Sequence, residues 1–253
     1  MKCAGAIAVF CMLMGVTACD DKPSSPGGAP SASAKPVATA PPPTTASAEM
    51  KPALSLVVDD KRFTINGDKV EFGGTDPTGP IAGAISGKAG IEGAVVDVVV
   101  MRDTLTPKVG MVLKALRNAK AQGANVKTTR RDGTTASLPL TWGTSRPECA
   151  AVGMIGKDGA ITAWNVGGGT AARFARGFAG PDLTLGSAGV RKAIQACDAT
   201  VFYLAAADNI VWGLAFDLAL AIRAGDEAGA PLKATTTSLL VDAPVPGRKV
   251  PQD

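Results

Sequence analysis

Residues 98–129, VVVMRDTLTPKVGMVLKALRNAKAQGANVKTT, decide how the chain is organised, because their pattern returns at residues 202–236, FYLAAADNIVWGLAFDLALAIRAGDEAGAPLKATT. In each stretch a short apolar run ends at an acid, Asp103 or Asp208, and a helical segment follows. A Gly-Ala pair, Gly123-Ala124 or Gly229-Ala230, then precedes a second extended run. The chain therefore carries a strand, helix, strand unit in two copies.

In the first copy Val109, Val112, Leu113 and Leu116 fall at helical spacing, while Lys108, Lys114, Arg117 and Lys120 take the other side. Thr106 reads as the N-cap, Pro107 as the residue tolerated at the first helical position, and Gly123 as the stop. The second helix carries Leu214, Leu218, Ala221 and Ile222 on a nearly uncharged body, which predicts deeper burial. Asp217 aligns with Val112 on its dry face. An unpaired buried carboxylate is costly, so Asp217 is either hydrogen-bonded inside or turned toward a partner surface.

Outward from these units the composition changes sharply. Lys2, an apolar run from Ala4 to Ala18 and then Cys19 read as a secretory signal, since a bilayer crossing needs about 20 apolar residues. Val16-Thr17-Ala18-Cys19 resembles a bacterial lipobox, which makes residues 1–19 a lipoprotein signal with Cys19 lipidated; an uncleaved anchor and plain secretion are the alternatives. Residues 20–52 are rich in Pro, Ala, Ser and Thr, with Pro41-Pro42-Pro43, and read as a disordered tether. As coil it spans roughly 30 Å, and up to ~100 Å in the polyproline form. The expected location is the bacterial cell envelope, lipid-anchored and facing the periplasm.

The roughly 200 remaining residues suffice for one large domain or two small ones, and the repeat favours two: 53–142 and 148–243, with 244–253 as a flexible tail. A net charge of +4 with scattered basic residues, three Trp and one Tyr argues against nucleic acid. Of five cysteines, Cys3 and Cys11 leave with the signal and Cys19 takes lipid. Cys149 and Cys197 remain, either as one disulfide in an oxidising compartment or as two separate buried thiols. The chain contains no histidine, which removes the usual general base, the His-containing triads and the commonest transition-metal ligand. No metal site and no cofactor is expected.

Along the body, residues 54–58, 63–65 and 70–72 read as strands, with Asn66-Gly67 as a turn. Residues 77–89 form a weak helix. Residues 95–100, apolar except for Asp97, have the run of a buried central strand. Residues 125–129 and 136–140 pair through Asp132-Gly133. The second copy repeats this with strands at 151–155, 160–166, 200–206 and 232–237 and a short helix at 187–197, and residues 238–253 trail over the surface. Gly167, Gly168 and Gly169, with Arg173 and Arg176, form a loop that the first copy lacks. It reads as a flexible hairpin loop or as an anion cradle of backbone amides. Asp103 and Asp208 either cap the coming helix or turn, or serve chemistry. Together with Trp212 and Asp217 they are the candidate interface residues.

The order of these elements, from SLVVDDKRFTING at residues 55–67 through a weak helix, the strand VVDVVVMRDT, the helix at Pro107 and the strand after Gly123-Ala124, resembles the periplasmic domain of ExbD/TolR biopolymer-transport proteins. The likeness covers residues 54–140 and, more loosely, 151–241. It implies an α+β fold of two tandem ExbD/TolR-like domains, each a mixed β-sheet packed against two helices. Family members carry one transmembrane helix with an aspartate used in proton-driven work, whereas residues 4–18 contain no acid. Proton coupling is therefore not expected. What the resemblance leaves is a non-enzymatic docking or accessory role, with an ExbB/TolQ-TonB/TolA-like system or peptidoglycan as partner. The alternative is a small-molecule or anion-binding envelope lipoprotein using the Gly167–Gly169 loop.

Overall fold

A computed structural model describes residues 54–72, 77–142, 147, 149–225, 234 and 236–251. The signal, Cys19 and the tether lie outside the described residues, as does the Gly229-Ala230 pair. The first half contains β1 (Leu56–Val58), β2 (Arg62–Ile65), β3 (Asp68–Glu71), α1 (Thr78–Ile85), β4 (Val95–Val100), α2 (Thr106–Asn118), β5 (Gly123–Thr129) and β6 (Thr135–Thr141). The second contains β7 (Ala151–Ile155), β8 (Ile161–Asn165), β9 (Ala172–Phe174), α3 (Leu183–Ala196), β10 (Val201–Ala206), α4 (Trp212–Arg223) and β11 (Thr236–Leu239).

All eleven strands among the described residues join one mixed sheet in the order β3-β2-β1-β4-β5-β6-β11-β10-β7-β8-β9. Read inward from either edge, the pairings run antiparallel, antiparallel, parallel, parallel. The strand order is thus a palindrome interrupted by β6, which runs antiparallel to β5 and touches β11 in parallel at Leu140↔Thr237. The fold is mixed α/β with its two copies sharing a sheet. The loop that the second copy has in place of the first copy's pattern contains β9, the counterpart of β3, whose three residues, two of them exposed, leave no hydrophobic alternation in the sequence.

One face of the sheet carries the main core. Val58, Val98 and Val126 in the first half and Ile155, Phe202 and Leu204 in the second pack with Val112, Leu116, Phe216 and Leu218 of the helices. α1 lies against α2, and α3 against α4. No residue of α4 is fully exposed, in keeping with its apolar body. α3 begins earlier than the apolar pattern indicates because the Asp182 carboxylate caps it, accepting from Leu185 N at 3.0 Å. Its Gly189 is forced by packing: a Cβ there would stand 2.1 Å from the Phe174 ring.

α2 does not end at Gly123. Lys120 adopts the left-handed conformation (φ 61°) and Ala121 N donates to Leu116 O at 3.1 Å, a Schellman closure without glycine. Gly123 instead opens β5, where a Cβ would lie 2.7 Å from Leu140 O, so the residue serves close backbone approach.

The opposite face of the sheet differs between the halves. Behind the second half a smaller core unites Val152, Met154, Trp164, Tyr203, Leu240 and Val250. Residues 240–251, read from sequence as a trailing end, thus form a strap: Val250 N donates to Val166 O at 3.0 Å, and Trp164 Nε1 donates to Arg248 O at 3.2 Å. Among the described residues the first half has no such cover. β4 buries only Val96, Val98 and Val100 and exposes Val95, Asp97 and Val99, so it is not the doubly buried strand its composition suggests.

Candidate functional site

The palindrome has a physical centre. Leu105, just after β4, and Val211, just after β10, form an antiparallel bridge. Thr106 N donates to Ile210 O at 2.9 Å, and Trp212 N donates to Thr104 O at 2.7 Å. These bonds are images of each other, because stepping one residue forward from Leu105 gives Thr106 and from Val211 gives Trp212. The exchange continues on one side only: Gly213 N donates to Arg102 O at 2.9 Å, whereas its image Pro107 has no N–H to give.

Side chains lock this seam. Thr106 Oγ1 donates to Ile210 O at 2.8 Å, so the hydroxyl expected to cap α2 reaches across to the other half. Trp212 is fully buried, and its Nε1 donates to Thr128 Oγ1 at 2.9 Å, which donates to Val100 O at 3.1 Å. Asp217 accepts from Arg102 at 3.0 and 2.7 Å and from Arg131 Nε at 3.1 Å. That carboxylate holds the Arg102 guanidinium above its ordinary pKa. Asp217 is therefore satisfied by arginines of the first half.

No family model, curated protein or solved structure matches the chain.

The bridge also corrects the alignment of the two copies. Counting from Leu105↔Val211 places Asp217 opposite Met111 and Asp208 opposite Arg102, one residue from the sequence alignment, because the two turns differ in where their acid falls. Neither Asp103 nor Asp208 caps a helix: the N-caps are Leu105 and Val211, without side-chain bonds. Asp208 lies in an exposed pair with Lys157 at 3.7 Å, and Asp103 is exposed. The four candidate interface residues thus divide into Trp212 and Asp217 in the seam and Asp103 and Asp208 on the surface.

In the glycine loop, Gly167 N donates to Asn165 Oδ1, Gly168 N to Asn165 O and Gly169 N to Gly247 O, each at 2.9 Å. The amides that an anion would need already have acceptors, Arg173 pairs with Asp158, and Arg176 lies beside Gly159. Cys149 and Cys197 are joined in a disulfide with Cα atoms 5.8 Å apart. Among the described residues no group of three acids or cysteines is placed to hold a metal, and no helix is long and apolar enough to cross a membrane.

The open face behind β4 shows Val95 (60% exposed), Val99 (39%) and Met101 (44%) as a row of apolar side chains. Between them Asp97 accepts from Asn125 at 2.9 Å and Lys127 at 2.7 Å. The Lys127 and then the Asn125 hydrogen bond hold the Asp97 carboxyl below its ordinary pKa. A depressed pKa contributes stability that is present above the unfolded value of about 3.9 and is lost as pH falls through the folded value. Acid denaturation followed by circular dichroism is expected to show this protein losing more stability below about pH 4 than its Asp97→Asn variant. Parallel curves would remove Asp97 from the account.

Asp217→Ala is expected to cost about 2 kcal/mol, below the 3–5 kcal/mol of a fully buried pair because the arginines keep partial solvent contact. Chemical denaturation checks this. An effect under about 0.5 kcal/mol would mean that water replaces the carboxylate freely.

Proposed function

We propose that this chain is a cell-envelope lipoprotein whose folded body comprises two ExbD/TolR-like units, 53–142 and 148–243, and serves as a non-enzymatic docking component of a biopolymer-transport complex. The observation that supports this most is the reciprocal seam at Leu105↔Val211, which relates the copies as partners in a symmetric dimer are related. Fusing them lets the halves diverge, and among the described residues only the first has its rear sheet face open. That face, with Val95, Val99 and Met101, is the surface proposed to meet an ExbB/TolQ-TonB/TolA-like protein or peptidoglycan. The tether and the lipid on Cys19 would hold the body at membrane distance, without proton coupling.

A photo-crosslinker at Val99 in intact envelopes tests the reading, with the same group at Lys192 on the helical side as control. Capture of such a protein or of peptidoglycan from Val99 alone is the expected result. Recovery of neither, or equal recovery from both positions, contradicts it. The alternative of an anion at Gly167–Gly169 gains nothing from a loop whose amides are bonded internally.

A further inference from the structure

The elements that break the palindrome are β6 on one side and the strap on the other, and a cavity of about 910 Å³ lies where they meet. Its walls come from both halves: Leu113 of α2, Leu140 and Trp142 at the end of β6, Tyr203 of β10, and Leu240 and Val250 of the strap. No symmetric dimer of one copy would contain it. The size falls within the roughly 300–1,000 Å³ of small-molecule sites.

The charge around this apolar space is one-sided. Lys114 on α2 and Arg248 and Lys249 on the strap line it, and among the described lining residues Asp242 supplies the carboxylate. Elsewhere Lys108, Lys120 and Lys127 each have a carboxylate partner, at 2.7, 3.0 and 2.7 Å, whereas Lys61, Lys69 and Lys192 have none among the described residues. Lys114, Arg248 and Lys249 have no ion pair among the described residues, although each lines the cavity. The indole N–H of Trp142 is already donated to Ala121 O, so this side chain offers the cavity an apolar surface.

We propose that the cavity binds an anionic amphiphile, one hydrophobic chain ending in a carboxylate or a phosphate, with the chain among Leu140, Trp142 and Tyr203 and the headgroup against Lys114, Arg248 and Lys249. Apolar walls alone would take any oily molecule, and the unpaired cations select the charged end. This site is independent of the docking reading.

The test titrates the full chain with palmitate, with dodecyl phosphate and with uncharged dodecyl maltoside, each below its micellar concentration, by calorimetry and tryptophan emission. One-to-one binding of an anionic probe is expected, with an emission change abolished in Trp142→Phe. Lys114→Ala combined with Arg248→Ala and Lys249→Ala should weaken it about tenfold or more. If the triple variant misfolds, Lys114→Glu alone must weaken binding. Binding of palmitate alone assigns a fatty-acid headgroup, and of dodecyl phosphate alone a phospholipid-type one. Equal affinity for the maltoside, an unaltered affinity in the charge variants, or no binding of either anion overturns the proposal.

Discussion

Trp212→Ala is expected to destabilise the folded body by about 3–5 kcal/mol, the range for deleting a large buried aromatic side chain. Trp212 is fully buried at the first residue of α4, beside the Phe216 ring at 6.0 Å, and its indole N–H reaches Thr128 in the other half. The substitution opens a cavity in the seam and leaves Thr128 Oγ1 without its donor. For a body of this size the loss corresponds to a fall in Tm on the order of 10 °C. Trp212→Phe retains most of the volume and should cost far less, with about 1 kcal/mol from the hydrogen bond. A double-mutant cycle with Thr128→Val isolates that bond. If Trp212→Ala left the guanidinium midpoint unchanged, the seam would not be a structural centre.

Removing the disulfide is the other large effect. Cys149 and Cys197 are 48 residues apart in sequence and tie the start of β7 to the end of α3. Constraining such a loop in the unfolded chain contributes about 4 kcal/mol in the chain-entropy account. Cys149→Ser with Cys197→Ser is therefore expected to lower stability by about 3–4 kcal/mol. Reductant should lower the parent protein by a similar amount and leave the double variant unaffected. A parent protein insensitive to reductant would show that the bridge is not formed in solution. The first half has no equivalent bridge, so the loss should fall chiefly on the second.

What was legible in the sequence follows from periodicity. β4 and β7 lie where residues 95–100 and 151–155 predict them, because each apolar run is too short for a helix and is bounded by turn residues. α2 was readable from its two-sided pattern, and its end was not, since Lys120 rather than glycine takes the left-handed position. The single sheet was hidden because its joint is one register pair, Leu140↔Thr237, with no pattern of its own. The strap was hidden for a different reason: Pro244, Pro246 and Pro251 suit an extended segment on a sheet as well as they suit a loose end.

The candidate residues divided along the same line. Asp217 stood out as an acid on an apolar helix face, and the sequence contained the reason for its partner choice only in Arg102 and Arg131, which lie 115 and 86 residues away. Asp103 and Asp208 recur because each follows the end of a strand, and both are exposed. The exposure of Val95, Val99 and Met101 has no sequence signal, because exposure on a valine-rich strand depends on what covers it.

The two copies meet about the Leu105↔Val211 bridge within one chain. Opposed residues of this non-hydrogen-bonded type have Cα atoms about 4.5 Å apart, a separation that a disulfide spans. Leu105→Cys with Val211→Cys, oxidised mildly and mapped by mass spectrometry of its peptides, should give an intramolecular 105–211 linkage whose yield does not change on dilution. Free thiols at both positions, or a linkage that appears only between chains, would contradict it.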